Sequence, residues 1–431
     1  MVRALRHRNY RLFFSGQSIS LIGTWMTRIA TSWLVYRLTR SALLLGLVGF
    51  AGQIPSFLLA PFAGVLVDRW NRHRLLVVTQ ILAMLQSAAL AWLTLAGVIN
   101  IWHVLLLSLF QGAINAFDMP GRQAFVVEMV ERREDLANAI ALNSSMVNAA
   151  RLLGPSIGGV VIAAVGEGWC FFMDAVSYLA VIASLLLMRL AAGARRPGTT
   201  EKKVLHELRE GWRYVAGSAP IRSILLLLAV VSLVGMPYTV LMPVFASTIL
   251  HGGPHTLGFL MAATGVGALL GALFLANRRT VLGLGKVIPA MAGVFGAGLI
   301  GFSLSRSLWL SLALLLVTGL GFMVQMAASN TLIQTLVDDD KRGRVMSFYL
   351  MAFMGTAPFG SLLAGGLAHR IGAPRTLLLG GCGCIAGAIW FASLLPKLRE
   401  RVRPIYVRMG ILPEMAKGIA SAAELAVPPE Q

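Results

Sequence analysis

Two carboxylic acids, Asp118 and Asp174, stand inside long apolar stretches of this chain. A carboxyl group surrounded by hydrocarbon favours its neutral form, so each is a candidate to take up and release a proton. Two arginines, Arg28 and Arg151, lie in the same kind of surroundings. A cation there costs about 2.5 kcal/mol or more unless it finds a carboxylate, backbone carbonyls or water. Counting depth at about 1.5 Å per residue matches Arg28 with Asp174 better than with Asp118. An Arg28–Asp174 pair is therefore as good a reading as a substrate contact. Trp25, Asn115, Gln325 and Asn330 are further polar or half-polar side chains in apolar runs. With Arg28 and Asp118 they are candidates to line a solute cavity; the other reading is hydrogen bonding between helices. No Walker loop, nucleophile–base set or metal-ligand spacing accompanies them. The residues suit passage of a small molecule better than an enzyme, and no cofactor or metal is expected.

A second group lies in turns. Gly64, Asp68, Arg69, Arg72 and Arg74 form one charged turn between apolar runs 43–67 and 75–95. An acid flanked by arginines at a helix end can build an ion-pair cluster. Glu128, and Arg344 in the turn 338–344, can join it. If the cluster bridges two halves in one conformation, it is a latch that transport must break. Otherwise these charges only fix topology. A third group follows Arg151: Gly154-Pro155-x-x-Gly158-Gly159. The glycines allow close helix contact, and Pro155 removes an internal hydrogen bond and kinks its helix.

The elements that must hold these residues are membrane helices. Of 431 residues, 57% are apolar and only 13% charged, a surplus no soluble core hides. Runs long enough to span a bilayer occur at 12–35, 43–67, 75–95, 102–127, 136–165 and 169–190. A second six follow at 224–250, 257–276, 287–304, 308–337, 345–368 and 377–395. The expected fold is all-α and polytopic, with twelve transmembrane helices in two pseudo-symmetric six-helix bundles. The bundles would be 1–190 and 220–396. Between them lies a cytoplasmic linker, 191–219, with an amphipathic helix at 204–214; a mobile cytoplasmic tail, 397–431, follows. Residues 153–159 are echoed by 359–365, and Gly166 by Gly372, as parallel repeats would be. With the N-terminus inside, outer turns hold only Arg37, Arg40, Arg306, Arg370 and Arg375. That asymmetry places both termini in the cytoplasm. The net charge of +19 then fits anionic lipid headgroups, not nucleic acid. Cys170, Cys382 and Cys384 are too few for a disulfide framework or a four-ligand zinc site.

The turn Gly64-x-Leu66-x-Asp68-Arg69-x-x-Arg72-x-Arg74 resembles the loop 2–3 signature of the major facilitator superfamily of secondary transporters. Gly154-Pro155-x-x-Gly158-Gly159 resembles the antiporter signature of its drug and metabolite exporters. With Gly16-Gln17-x-Ile19-Ser20, Asn138-Ala139 and Arg342-Gly343-Arg344, the chain resembles the exporter branch that includes the enterobactin exporter and macrolide efflux pumps. The resemblance implies a monomeric, multi-pass protein of the bacterial inner membrane. It would export an amphipathic drug-like or siderophore-like molecule by alternating access, driven by proton antiport, with spans 1, 4, 7 and 10 around the cavity. A lysophospholipid flippase or solute importer of the same fold is the alternative; a non-transporting sensor or scaffold is a second. One departure weakens the proton scheme: drug/proton exporters carry an Arg four residues before a Gly of span 4, and Ser108 stands there before Gly112.

Overall fold

The computed structural model describes residues 3–130, 132–189, 204–278, 280–338 and 341–408. Nearly all of these are helical, and no strand occurs among them. The first six spans are α1 (Arg8–Thr39), α2 (Ala42–Arg69), α3 (Arg72–Leu95), α4 (Ile101–Met129), α5 (Leu136–Val165) and α6 (Glu167–Leu186). α1 packs on α5 and α6, α3 on α4 and α6, and α2 on α4, which makes one bundle. α7 (Val204–Gly217) is the linker helix. Span 7 is α8 (Ala219–Val230) continued through α9 (Tyr238–Val244) to Ile249. It is followed by α10 (Pro254–Ala276), α11 (Leu284–Leu304) and α12 (Leu308–Leu336). Span 11 joins α13 (Arg342–Leu350) to α14 (Ala357–Ile371), and α15 (Ala373–Arg408) is the last. α10, α11, α12 and α15 form the body of the second bundle. Eleven of these spans are long and apolar enough to cross a membrane. α1 completes the twelve; Gln17, Arg28 and Arg37 along its length keep it below the hydropathy of the others.

The turns follow local chemistry. Ser41 caps α2 by accepting from Leu44 N–H, and Asn71 caps α3 by accepting from Arg74 N–H. The fifth and eleventh spans both end on a glycine in the left-handed half of backbone space, Gly166 (φ 92°) and Gly372 (φ 87°). A side chain there would be strained, so the echo seen in the sequence is a shared chain reversal. Pro237 in span 7 lacks the N–H that Leu233 C=O would bind. The helix widens there into a π-helical turn, Val231–Gly235. A second such turn, Met351–Gly355, lies opposite in span 11, where Ser232 Oγ donates to Phe353 C=O.

One expected boundary is corrected. Residues 397–408 are not a mobile tail; α15 runs through Pro396 and Pro404 to Arg408. Each proline forfeits one hydrogen bond, but Leu398, Val402, Ile405 and Tyr406 recur at helical spacing and pack against the second bundle's core. Their burial offsets the loss. The remainder of the tail and residues 190–203 of the linker lie outside the described residues.

Candidate functional site between the two bundles

The bundles meet along two seams, α5 on α10 and α2 on α14. Both seams are made of backbone pressed on backbone. A Cβ added to Gly159 would sit 2.9 Å from Pro254 O and 3.0 Å from Gly258 Cα. One added to Gly365 would sit 2.8 Å from both Ala42 O and Gly46 Cα. The 154–159 motif works on two faces of α5. Gly154 and Gly158 seat α1, against Trp25 in one case and Met26 and Ile29 in the other, while Gly159 seats α10 of the other bundle. Pro155 leaves Arg151 C=O without its helical donor, and a Cβ on Gly265 of α10 would lie 3.6 Å from that oxygen.

These contacts cluster away from the end where α1 begins and α15 finishes. Side-chain hydrogen bonds between bundles, among the described residues, are Tyr36–Thr248 (2.6 Å), Arg40–Ser247 (3.1 Å) and Gln53–Ser361 (3.4 Å). All three come from the far halves of α1 and α2. Arg37 adds a two-point ion pair to Glu167 (2.7 and 3.3 Å) that ties α1 to α6 at the same end. Glu167, absent from the sequence-based candidates, is buried there.

At mid-height Arg28 and Arg151 share one aromatic ring. The Arg28 guanidinium lies 4.9 Å from the Trp25 centroid and that of Arg151 5.7 Å from it, within cation–π range. α1, which carries Trp25 and Arg28, also touches α9 of the second bundle. Arg28 is exposed and Arg151 half-buried. The Arg28–Asp174 pair is not formed. Asp174 points toward α3, where Ser87 Oγ donates to its Oδ2 at 2.8 Å. Its Oδ1 lies against Gly23 of α1 and has no hydrogen bond. Asp174 meets α1 at Gly23, more than a turn before Arg28, and turns toward α3.

Asp118 does not line the gap either. It is 2% exposed and held inside the first bundle. Its Oδ1 accepts from Thr79 Oγ1 (2.9 Å) and Gln80 Nε2 (2.7 Å), and its Oδ2 from Arg122 one turn on. Arg122 was missed in the sequence, although its i,i+4 spacing from Asp118 is the usual signal. Asn115 accepts from Gln111 one turn earlier (3.2 Å). Gln325 is fully buried beside Ser329 (3.5 Å), with its Oε1 unpartnered. Asn330 is half-buried and takes a hydrogen bond from Gln334. Among the described residues no group of three or more His, Cys, Asp or Glu could hold a metal.

Of the charged turn, Arg72 pairs with Glu128 at 2.7 Å, joining the start of α3 to the end of α4. Arg69 and Arg74 are exposed. The side chain of Asp68 and the surroundings of Gly64 lie outside the described residues. Arg344 pairs not with this turn but with Glu210 of the linker helix, at 2.7 Å. Trp212 packs on Phe348 beside it, and Tyr214 O–H donates to Asp338 at 3.4 Å. Burial pushes the Tyr214 phenol above its ordinary pKa, which keeps it a donor. α7 is thus fastened to span 11. Arg344→Glu is expected to lower thermal stability by only about 0.2–1 kcal/mol, because the pair is half-exposed. Restoration in Arg344→Glu/Glu210→Arg, read in a thermal double-mutant cycle, would establish the pair; additive losses would dismiss it.

Two six-helix bundles meeting along the α5–α10 and α2–α14 seams give the architecture of a major facilitator transporter. The family model described as transmembrane secretion effector matches residues 2–405, and the chain belongs to that family. It is 26% identical to a staphyloferrin A transporter of Staphylococcus aureus, over 90% of this chain and 97% of the relative. It is 28% identical to the multidrug efflux pump Tap of Mycolicibacterium fortuitum, over 88% of this chain and 93% of the relative. Its fold matches a bacterial homologue of the human lysosomal transporter Spinster in an inward-facing, occupied conformation. That match has a TM-score of 0.69 at 15% identity, covering 89% of this chain and 96% of the other. The chain is a multi-pass membrane protein of the major facilitator transporter type.

Proposed function

We propose that this protein exports an amphipathic small molecule across the bacterial inner membrane by alternating access, as a transporter rather than an enzyme. The observation that carries the reading is the one-sided closure: glycine seams and hydrogen bonds pin the bundles at the far end. Both termini and the linker are assigned to the cytoplasm, so the state described is the inward-facing one. The first bundle comprises 1–190 and the second 220 to the end of α15, acting as rocking units of a monomer. The test is cysteine accessibility in a Cys382→Ser background, since Cys382 is exposed. Thr331→Cys near the cytoplasmic end of α12 and Thr248→Cys at the far end should label in opposite senses when a pH gradient is imposed. Labelling that never changes at either site rejects the reading.

Proton coupling is assigned to Asp174 ahead of Asp118. Asp118 has Arg122 as counter-charge, whereas Asp174 has hydroxyl company and no cation paired with it among the described residues. Asp174→Asn is expected to abolish substrate accumulation against a gradient, by tenfold or more, while downhill exchange persists. Pyranine-loaded proteoliposomes would show proton movement lost in parallel; unchanged proton flux would remove Asp174 from the scheme.

Anionic lipid is the proposed bilayer partner. An apolar pocket of about 290 Å³ between α8, α11, α12 and α15 is bordered by Lys286, Arg399 and Arg403. A basic pocket of this kind at the cytoplasmic edge suits a phosphate headgroup with an acyl chain inserted.

A further inference from the structure

We infer that the solute carried in the gap is an anion, a carboxylate-bearing or phosphate-bearing amphiphile held by Arg28 and Arg151 across the face of Trp25. The inference rests on the transporter reading above and narrows its substrate class.

Three observations converge. First, two guanidiniums lie over one indole, 4.9 and 5.7 Å from its centroid. Like charges on one ring repel, and a counter-anion between them would relieve that repulsion. Second, among the described residues neither guanidinium has a carboxylate partner or a hydrogen-bond acceptor, unlike Arg37, Arg72, Arg122 and Arg344. The buried carboxylates of the same bundle have other partners: Asp118 has Arg122, Thr79 and Gln80, Asp135 has His7, Glu167 has Arg37, and Asp174 has Ser87. Third, the arrangement is built into the packing. Gly154 presses against Trp25 Cβ, where an added Cβ would come within 2.4 Å of it, so a larger residue would displace the indole. Arg28 follows Trp25 by three residues on the same face of α1, and Pro155 leaves Arg151's own carbonyl free at the α10 seam.

An oxyanion between the two forks would neutralise both, by paired N–H···O bonds that guanidinium geometry favours. Its apolar part would lie on Trp25. A cationic amphiphile in the same place would meet two like charges.

The experiment uses the full-length protein in nanodiscs with 5-carboxyfluorescein as anionic probe and rhodamine 6G as cationic probe, read by calorimetry and tryptophan quenching. Carboxyfluorescein should bind, and its affinity should fall at least tenfold in Arg28→Gln and in Arg151→Gln. Arg28→Lys, which keeps charge but not the fork, should lose less. Rhodamine 6G should bind more weakly than carboxyfluorescein to the parent protein and gain in both Gln variants. Competition by benzoate and by phenyl phosphate separates the two headgroups; displacement by either supports the anion site. The assignment is overturned if rhodamine 6G binds the parent more tightly, if no anion binds, or if Gln variants with unchanged melting temperatures bind carboxyfluorescein as the parent does. The accessibility pair Thr248→Cys and Thr331→Cys needs no ligand. Its failure sinks the transporter reading, whereas binding failure with that motion intact sinks only the anion.

Discussion

Gly159→Leu is expected to abolish transport and hold the far end of the molecule open. A Cβ at this position already meets Pro254 O and Gly258 Cα at 2.9 and 3.0 Å, and a leucine carries three further carbons into the same seam. The obstructing atoms are backbone, so no rotamer change relieves the contact; α5 and α10 must separate. Overpacking of this kind costs about 1–3 kcal/mol. Because the cost falls only on the state in which the seam is closed, it shifts the two-state balance roughly 5- to 150-fold. Gly365→Leu should act alike at the α2–α14 seam, where Ala42 O and Gly46 Cα are equally near. Gly366 is the internal control: an added Cβ there meets nothing within 4 Å, and Gly366→Ala should transport normally. Maleimide labelling of Thr248→Cys should rise in the two seam variants, since Tyr36, its hydrogen-bonded neighbour, withdraws when the seam opens. A Gly159→Leu protein that transports at the parental rate would show that the seam does not open and close during the cycle.

The same glycine marks what the sequence made legible. Small residues at 154, 158 and 159 announce close packing, and twelve apolar runs announce the spans. The pairing of Gly166 with Gly372 shows the repeat, because hydropathy and backbone freedom are local properties. Rotation about a helix axis is not local. Counting residues along each helix pairs Arg28 with Asp174, yet their side chains leave their helices toward different neighbours, Trp25 and Ser87. The i,i+3 spacing of Trp25 and Arg28 and the i,i+4 spacing of Asp118 and Arg122 were both readable from single helices. Arg151 over the same ring was not, since it arrives from another helix. The pairing of Arg344 with Glu210 likewise depends on where the linker helix docks. Pro396 read as the end of the last span because proline punctuates helices; the apolar spacing 398, 402, 405 and 406 beyond it carried the better information.

Asp118→Ala is expected to be the most damaging single change to folding. The carboxylate is 2% exposed and serves three donors at once: Thr79, Gln80 and Arg122. Removing it leaves the Gln80 amide unsatisfied, returns the Thr79 hydroxyl to Leu76 C=O (3.0 Å) alone, and strands a guanidinium whose side chain is only 25% exposed. Breaking a buried pair by deleting one partner costs about 3–5 kcal/mol. Arg122's partial access to water argues for the lower end of that range, still a large share of the 5–15 kcal/mol that holds an ordinary domain together. Asp118→Asn keeps one oxygen for Thr79 and Gln80 but turns an amide toward Arg122, so its loss should be intermediate. Asp118→Leu/Arg122→Met removes both charges together, and the double variant should recover most of the stability lost by Asp118→Ala. Melting of purified protein in detergent, followed by light scattering and tryptophan emission, would rank the four proteins. The double variant also separates structure from chemistry. If Asp118 serves only to bind α3 to α4, Asp118→Leu/Arg122→Met should retain transport once folded. A stable double variant that no longer moves protons would instead return Asp118 to the coupling path.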